Sequence, residues 1–303
     1  MKFDVIGFGA LNVDKLYKVN KIAREDEESF VLGFQEAPGG SAANTIAGLA
    51  RLGSKTGYIG KVAKDHEGKL LLKDFKREKV DTSGITIAPT GRSGVATGYV
   101  DIRGQRALYV DPGVNDTLEF EEINLEYISQ TEFLHLTSFV GEKPFIAQNR
   151  LVKELPQIKV SLDPGEIYAR KGLSTLKALI KRSFVVFPSE NEVRMLTGRE
   201  SEEGSDILIE EGAGIVVVKL GGRGCYVTDG KASYHVEPFR TKVVDTTGAG
   251  DAFCAGFLYG LIKGRDLYTC AKLGNFMASC CITKIGPRTG FPKLSELREL
   301  EFL

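Results

Sequence analysis

The sequence has little of what histidine, cysteine or metal chemistry would require. Its 303 residues include five cysteines and only three histidines. The cysteines show no C-x-x-C spacing and the histidines are scattered, so we identify no histidine-based metal site. Because Cys254 and the Cys280-Cys281 pair lie in apolar segments, we interpret them as reduced thiols and predict a cytoplasmic location.

Neither an excess of one charge nor a long apolar run is present. The 40 Lys and Arg residues balance the 40 Asp and Glu residues, which argues against a nucleic-acid-binding surface. No run of 18 apolar residues occurs, so we expect no membrane partner. The start, MKFDVIGFGAL, is typical of a strand rather than a signal peptide. With 42% hydrophobic residues and no low-complexity tract, the composition is that of a globular protein.

Two common nucleotide-binding motifs are also missing. No GxxxxGK[ST] sequence occurs, which excludes a P-loop. GFGALN at 7–12 nearly spells the GxGxxG fingerprint, but Asn12 replaces its third glycine and the next residues look extended rather than helical. A dinucleotide site needs a helix to begin there, so a nicotinamide oxidoreductase is disfavoured. Asn12 and Asp14 still follow the carboxyl end of a strand, where open α/β sheets bind ligands, although turn residues capping the strand are an equal alternative.

Apolar segments and helical patterns alternate along most of the chain. Strands are predicted at 3–9, 56–60, 133–137, 158–162, 184–187 and 214–219. Helices are predicted at 41–52, 66–78, 145–154, 173–181, 250–262 and 266–283. This alternation predicts an α/β fold, a doubly wound and mainly parallel sheet with helices on both faces.

Residues 13–36 and 94–111 break that rhythm. The first segment lacks a convincing helix, and the second reads as a hairpin with RGQ as its turn. We predict that both form a small β-sheet lid on a single domain spanning 1–303. Exposed lid strands could pair between subunits as a homodimer.

Two glycine-rich segments suggest ligand contacts. In PGGSAAN, Gly39 and Gly40 lead directly into a helix, so backbone amides can approach a ligand, and Asn44 lies one turn inside that helix. In GIVVVKLGGRGCYV, a buried strand is followed by a turn at Gly221, Gly222 and Gly224. Alone, the second segment is more typical of an ordinary hairpin.

The segment DTTGAGDAF at 245–253 carries the clearest chemistry. Gly248, Ala249 and Gly250 precede an apolar helix, so their N–H groups are unpaired donors at the positive end of its dipole. Such an anion hole suits the charge of a transferring phosphoryl group. Asp251 follows directly. It is either a simple dipole partner or the base that takes a proton from an attacking hydroxyl.

PGGSAAN and DTTGAGDAF, in this order and about 200 residues apart, resemble the ribokinase-like (PfkB) carbohydrate and nucleoside kinases. The resemblance runs from about residue 4 to residue 292 and implies a doubly wound α/β fold with a β-lid. It implies that Asp251 is the catalytic base and that Gly248, Ala249 and Gly250 form the anion hole. It implies that the acceptor hydroxyls are held by Asn12, Asp14, Gly39, Gly40 and Asn44.

The resemblance also implies a nucleotide and cation side. The turn with Lys219, Gly221 and Gly224 matches the family's ATP-side loop, and Asn275 falls where the family lines the adenine pocket. Glu192 matches the acid of the N-x-x-E motif, which orders Mg²⁺ through water and phosphate. In this chain Ser189 replaces the motif's Asn, and either the Ser189 hydroxyl or Asn191, two residues later, could take over its role. Members often bind a monovalent cation such as K⁺, here near Asp245, Thr247 and the loop 284–290, and the dependence on that cation stays open.

The expected function is ATP-dependent phosphorylation of a hydroxymethyl group on a small sugar of the ribose, fructose or 2-keto-3-deoxygluconate type. A nucleoside kinase is the alternative, with Tyr99, Tyr109 and Phe139 as candidates for an aromatic wall. A phosphorylated acceptor would need a basic contact from Arg103, Arg106 or Lys143. A non-catalytic sugar-binding regulator is the remaining alternative, although such a protein would be expected to lose the base or the anion hole.

Overall fold

The computed structural model describes residues 2–103 and 105–298, and strands and helices alternate through most of that part. The strands are β1 Phe3–Phe8, β2 Asn12–Val19, β3 Val31–Gly39, β4 Thr56–Ala63, β5 Asp81–Ala88, β6 Gly94–Val100, β7 Arg106–Asp111, β8 Thr131–Thr137, β9 Lys159–Asp163, β10 Ser183–Val186, β11 Val216–Lys219, β12 Cys225–Thr228 and β13 Ser233–Val236. The α-helices are α1 Ser41–Arg51, α2 His66–Glu78, α3 Leu125–Ser129, α4 Glu142–Glu154, α5 Gly165–Ala169, α6 Leu173–Arg182, α7 Glu190–Thr197, α8 Ser201–Glu210, α9 Ala249–Ile262, α10 Leu267–Cys281 and α11 Leu294–Arg298. Each strand and helix predicted from the sequence is present, with ends within a few residues of those expected.

The larger sheet has nine strands in the order β13-β12-β11-β10-β9-β8-β1-β4-β5. Pairs from β11 to β5 are parallel, whereas β12 and β13 form an antiparallel extension at one edge. The chain builds outward in both directions from β1, which pairs with β4 on one side and β8 on the other. The predicted doubly wound, mainly parallel α/β fold is therefore confirmed.

Successive apolar residues of the central strands point to opposite faces of this sheet, and each face has its own core. In β1, Val5 faces a core with residues of α1, α2, α9 and α10, while Ile6 faces a core with residues of α4, α6 and α8. A strand covered on both faces reads as a continuous apolar run, which is why these strands were recognisable in the sequence.

The smaller sheet has four strands in the order β3-β2-β6-β7 and comes from the two segments that broke the α/β rhythm. Within it, β2 runs antiparallel to β3 and parallel to β6, and β6 and β7 form the predicted hairpin. Gly104, in the predicted turn of that hairpin, lies outside the described residues. The extended strand β2, which begins at the last residue of GFGALN, also agrees with the argument against a dinucleotide fingerprint.

Candidate active site

The Asp251 carboxylate lies in the first turn of α9 and is held by two side chains of α1. Ser41 Oγ donates to Asp251 Oδ1 at 2.5 Å, and Asn44 Nδ2 donates to Asp251 Oδ2 at 2.7 Å. Thr45 Oγ1 adds a hydrogen bond of 3.2 Å to the Asp251 carbonyl oxygen. Burial raises the pKa of Asp251 to about 6, although the bonds from Ser41 and Asn44 oppose the shift. The carboxylate is thus fixed in position and titrates close to neutrality, as a general base requires.

The N-terminus of α9 has the open backbone that the sequence predicts, with one amide already used. Gly248 is the N-cap with φ +80°, and a Cβ there would lie 2.6 Å from the Pro287 carbonyl oxygen. Ala249 N donates to Thr246 O at 3.2 Å. The helix ladder begins with Ala252 N donating to Gly248 O, so the amides of Gly250 and Asp251 precede the ladder and can serve an anion.

Behind this turn lies an ion pair whose acid the sequence analysis missed. Lys219 Nζ is 2.6 Å from Asp163 Oδ2, and both side chains are largely buried. A Cβ on Gly250 would lie 3.6 Å from the same Nζ, so the ammonium group stands against the α9 N-terminus. Burial alone would lower the pKa of Lys219, but neighbouring negative groups, Asp163 foremost, raise it, and the lysine stays charged.

Glu192 faces the same pair from α7. Burial raises the pKa of this carboxyl, and the Lys219 charge opposes the shift. Ser189 forms a capping box with Glu192: Ser189 Oγ accepts from Glu192 N at 3.3 Å, and Glu192 Oε2 accepts from Ser189 N at 2.8 Å. The residue that departs from the family pattern therefore begins α7 and orients the acid.

A cavity of about 410 Å³ opens beside Lys219 and the first turn of α9. Its walls come from the turn after β11, the segment 238–246, and the facing sides of α9 and α10. A Cβ on Gly221 would meet no atom within 4 Å, whereas one on Gly224 would lie 2.0 Å from Val236 O. Gly224 is therefore required by the close packing of the turn against Val236, whereas the space next to Gly221 is open.

Asn275 lines this cavity, but its amide is bonded to the protein. Asn275 Nδ2 donates to Val236 O at 2.9 Å and to Glu237 O at 3.0 Å. The side chain thus fixes the segment after β13, and the cavity wall near it is shaped by backbone.

The four other predicted acceptor-side residues lie together where the small sheet meets the N-terminus of α1. Asn12 pairs with Gly39 in the register of β2 and β3, and a Cβ on Gly39 would lie 2.4 Å from Asp14 Oδ2. Gly40, with φ +98°, is the N-cap of α1. The buried Asn115 donates from Nδ2 to Asn12 Oδ1 at 3.0 Å. Backbone and polar side chains therefore come together beside the N-terminus of α1, the helix whose Ser41 and Asn44 hold Asp251.

Asp245 connects the start of α9 to the loop 284–290. It accepts from Thr247 N at 2.9 Å and from Gly286 N at 2.8 Å. Within the described residues no group of three or more Asp, Glu, His or Cys side chains is arranged to hold a metal ion. Any cation here would depend on backbone carbonyls, water or bound phosphate for most of its ligands.

The aromatic residues considered for a nucleoside wall do not lie on the side of Asn12 and Asp14. Tyr99 stacks on Tyr17, and odd-numbered residues of β2 lie on the face of the small sheet opposite Asn12 and Asp14. Tyr109 shares the Tyr99 face. Phe139 is buried in the core with Phe8.

The basic contacts considered for a phosphorylated acceptor are engaged or not described. Arg103 pairs with Asp101, and Lys143 pairs with Glu119. The side chain of Arg106 lies outside the described residues.

Comparison with known proteins identifies the family. A model of the pfkB family of carbohydrate kinases matches residues 2–294. An uncharacterized sugar kinase of Archaeoglobus fulgidus is 47% identical over 249 residues, covering 81% of this chain and 98% of the relative. An ATP-dependent ribose-1-phosphate kinase of Halopiger xanaduensis is 32% identical over 288 residues, 94% of each chain. The structure of Arabidopsis thaliana ribokinase complexed with ribose and ATP matches with a TM-score of 0.88 at 23% identity, over 99% of each chain.

The resemblance found in the two sequence motifs is thus confirmed across nearly the whole chain. No helix in the ranges 2–103 and 105–298 is long and apolar enough to cross a membrane. The chain belongs to the pfkB family of carbohydrate kinases, phosphotransferases whose acceptor is an alcohol group.

Proposed function

We propose that this protein transfers the γ-phosphoryl group of ATP to the hydroxymethyl group of a small, unphosphorylated sugar, of the ribose, fructose or 2-keto-3-deoxygluconate type. One observation carries the proposal. Asp251 directly follows Gly250, which lines the 410 Å³ cavity, and its carboxylate is bonded to Ser41 and Asn44 of α1, beside the polar residues where the small sheet meets that helix. A donor and an acceptor bound on its two sides would meet at this carboxylate.

The nucleotide would occupy the cavity. Its size falls within the usual range of small-molecule sites, and Gly221 leaves backbone exposed at its mouth. The terminal phosphates would then approach the Gly250 and Asp251 amides, with the Lys219 charge directly behind. Donors fixed in advance stabilise charge on a transferring phosphoryl group without reorganising.

The donor set fits ATP carried as its magnesium complex. Glu192 supplies a carboxylate next to Lys219 and Asp163, and oxygen donors are what Mg²⁺ prefers. Mg²⁺ keeps several waters and is usually held by one or two carboxylates plus substrate phosphates, so the lack of a three-acid cluster in the described residues is compatible with it. When bound, the ion would neutralise charge on the phosphates, and Glu192 would orient its water ligands. For K⁺, the bonds of Asp245 to Thr247 N and Gly286 N bring together a loop whose carbonyls could serve as ligands.

Asp251 would take the proton of the attacking hydroxyl. Its carboxylate has two side-chain donors that fix its direction, and a pKa of about 6 leaves most of it ionised at neutral pH. Asn12, Asp14 and the backbone at Gly39 and Gly40 would hold the other hydroxyls of the sugar. The small sheet would act as the lid that excludes water from the reaction.

The surroundings of Asn12 and Asp14 support an unphosphorylated sugar over the alternative acceptors. Tyr99, Tyr109 and Phe139 lie elsewhere, so the nucleoside alternative loses the aromatic wall considered for it. Arg103 and Lys143 are paired with acids, so the phosphorylated acceptor loses these two basic contacts.

Pairing between lid strands of two copies stays a prediction, which sedimentation of the purified protein would test.

The test measures ADP release with Mg-ATP against ribose, fructose, 2-keto-3-deoxygluconate, ribose 1-phosphate, fructose 6-phosphate and adenosine. The proposal predicts the highest kcat/KM for one of the three unphosphorylated sugars. Preference for adenosine would support the nucleoside kinase alternative, and preference for a sugar phosphate would contradict the assigned acceptor class. Calorimetric sugar binding without turnover on any acceptor would favour the regulator.

A further inference from the structure

Arg288, in the loop between α10 and α11, reaches the catalytic centre through one intermediate residue. Its guanidinium is buried, with 5% of the residue exposed, and its Nε donates to Asn44 Oδ1 at 2.7 Å. Asn44 in turn donates from Nδ2 to Asp251 Oδ2 at 2.7 Å. A linear path of hydrogen bonds thus runs from Arg288 to the candidate base.

The direction of the Asn44 amide depends on this contact. An arginine side chain only donates hydrogen bonds, so Asn44 can bond to Nε through its carbonyl oxygen Oδ1 but not through its NH₂ group. With Oδ1 fixed on Arg288, the NH₂ group must point at Asp251. If the amide turned over, its carbonyl oxygen would face the carboxylate, and two acceptors would meet without a proton between them.

Arg288 is itself held firmly from α2 and α1. Its Nη1 is bonded to Asp74, which is 4% exposed, and Arg51 Nη1 donates to the Arg288 carbonyl oxygen at 2.6 Å. Arg51 is paired in turn with Glu78, one turn after Asp74 on α2. These contacts, made by α1 and α2, hold Arg288 in place.

We propose that Arg288 is a positioning residue for phosphoryl transfer: it fixes the orientation of the Asn44 amide, which keeps the Asp251 carboxylate ionised and directed at the acceptor. The inference rests on the proposed role of Asp251 as the base. It goes beyond a structural role for the Arg288–Asp74 pair, because it assigns to the Nε atom an effect on the titration of another residue.

Other groups also face Asp251 and must be left unchanged in a test. Asp163 raises the pKa of Asp251 and Lys219 lowers it, from the ends of β9 and β11. Three neutral groups lie around it: the Tyr58 hydroxyl of β4, the Cys254 thiol of α9 and the Cys281 thiol of α10, whose own pKa values burial raises. Ser41 Oγ bonds the other carboxylate oxygen.

Two conservative substitutions separate the Asn44 contact from the Asp74 contact. Arg288→Lys keeps a positive charge for Asp74 but places a methylene group where Nε donates to Asn44. Asp74→Asn removes the charge partner but keeps an oxygen that can accept from Nη1, so Nε should stay in place. If Arg288 acts through Asn44, Arg288→Lys should move the acid limb of the kcat/KM pH profile upward by about 0.5 to 1 pH unit, because the ionised carboxylate loses its Asn44 donor. Asp74→Asn should leave that limb unchanged.

Asn44→Leu extends the test to a double-mutant cycle. It removes the donor directly and should raise the acid limb, and adding Arg288→Lys should then cause no further change. An unchanged limb in folded Arg288→Lys, or equal shifts in Arg288→Lys and Asp74→Asn, would overturn the inference. If Arg288→Lys does not fold, Arg288→Met with Asp74→Leu removes the pair without an unpaired buried charge, and the same shift is expected. Wild-type turnover in Asp251→Asn would instead refute the role of Asp251 as the base, on which the inference rests, whereas the absence of sugar-dependent turnover in the wild-type protein would refute the proposed function.

Discussion

Lys219 Nζ lies 2.6 Å from Asp163 Oδ2, where β11 and β9 end beside the first turn of α9. The pair places the positive charge of Lys219 at the helix terminus that we assign to phosphate binding. Asp163 neutralises this charge in the absence of phosphate. Removing one partner of a buried pair leaves an uncompensated charge, which typically costs about 3–5 kcal/mol.

We therefore expect Asp163→Leu to lower the free energy of unfolding by about 3 kcal/mol, measured by urea denaturation. Asp163→Leu combined with Lys219→Met should recover most of that loss, because no buried charge is then left without a partner. The double variant should nevertheless bind Mg-ATP more weakly than wild type. Equal stability of the Asp163→Leu variant and wild type would contradict the account of this pair.

Gly250 and Gly248 should respond differently to alanine. At Gly250 the added methyl group makes an ordinary contact with Lys219, so the protein should fold, but the group stands where phosphate would approach. We expect kcat/KM for ATP to fall about 10-fold or more, since the amide donors are partly blocked. At Gly248, φ is +80° and the methyl group would clash with Pro287 O, so Gly248→Ala should lose about 1–3 kcal/mol of stability.

Gly264→Ala is the matched control for this pair. Gly264 also has positive φ (+66°), but a Cβ there meets no atom within 4 Å. It should cost less stability than Gly248→Ala and leave ATP kinetics unchanged. A Gly250→Ala variant with wild-type kinetics would show that this terminus does not bind phosphate.

We predict that Ser189 acts as a helix cap and that its presence in place of the motif's Asn does not impair function. Ser189→Ala should reduce stability by about 1 kcal/mol, because α7 loses the side-chain acceptor for Glu192 N. Ser189→Asn, which restores the family's usual residue, should cap equally well and leave the Mg²⁺ dependence of the rate unchanged. Thermal unfolding and Mg²⁺ titrations of the rate measure the two effects. A much tighter Mg²⁺ requirement in Ser189→Asn would show that the replacement weakens the metal site.

The pH dependence of kcat/KM should reflect the ionisation of the Asp251 carboxyl. Burial raises its pKa to about 6, and only the ionised form can accept a proton. The kcat/KM for the acceptor should therefore fall as pH decreases through about 6, approaching tenfold per pH unit below it. A limb near pH 4, the usual range of an exposed Asp, would mean that the base is another group or that Asp251 is solvated in the free enzyme.

Most of the fold could be predicted from local patterns because the central strands are buried on both faces and the helices between them are amphipathic. The strands of the small sheet were predicted from the failure of their segments to fit that pattern. Helix α4 begins at Glu142, earlier than predicted, since Pro144 is compatible with a first helical turn and does not mark a boundary.

The motif residues of the site could be predicted, whereas their partners could not. Ser41 lay inside PGGSAAN with no pattern to distinguish its hydroxyl from a cap. Asp163 had a usable signal, an acid just beyond a predicted strand, which is the argument applied to Asn12. Arg288 had none, because its role depends on a 2.7 Å contact with a residue 244 positions earlier. Asn44 illustrates the limit best: sequence placed it near the acceptor, and only the structure shows its amide on Asp251.

The most direct test of the central claim is the phosphoryl-transfer rate of Asp251→Asn on the best acceptor, with sugar and Mg-ATP binding followed by calorimetry. Glu202→Gln is the matched control, because Glu202 is an acid in the first turn of α8 that pairs only with His235 among the bonds described. We predict that kcat falls by at least about 100-fold in Asp251→Asn, with both ligands still bound, and stays at wild-type level in Glu202→Gln. A rate within a few-fold of wild type in Asp251→Asn would show that Asp251 serves the helix dipole and that the base lies elsewhere.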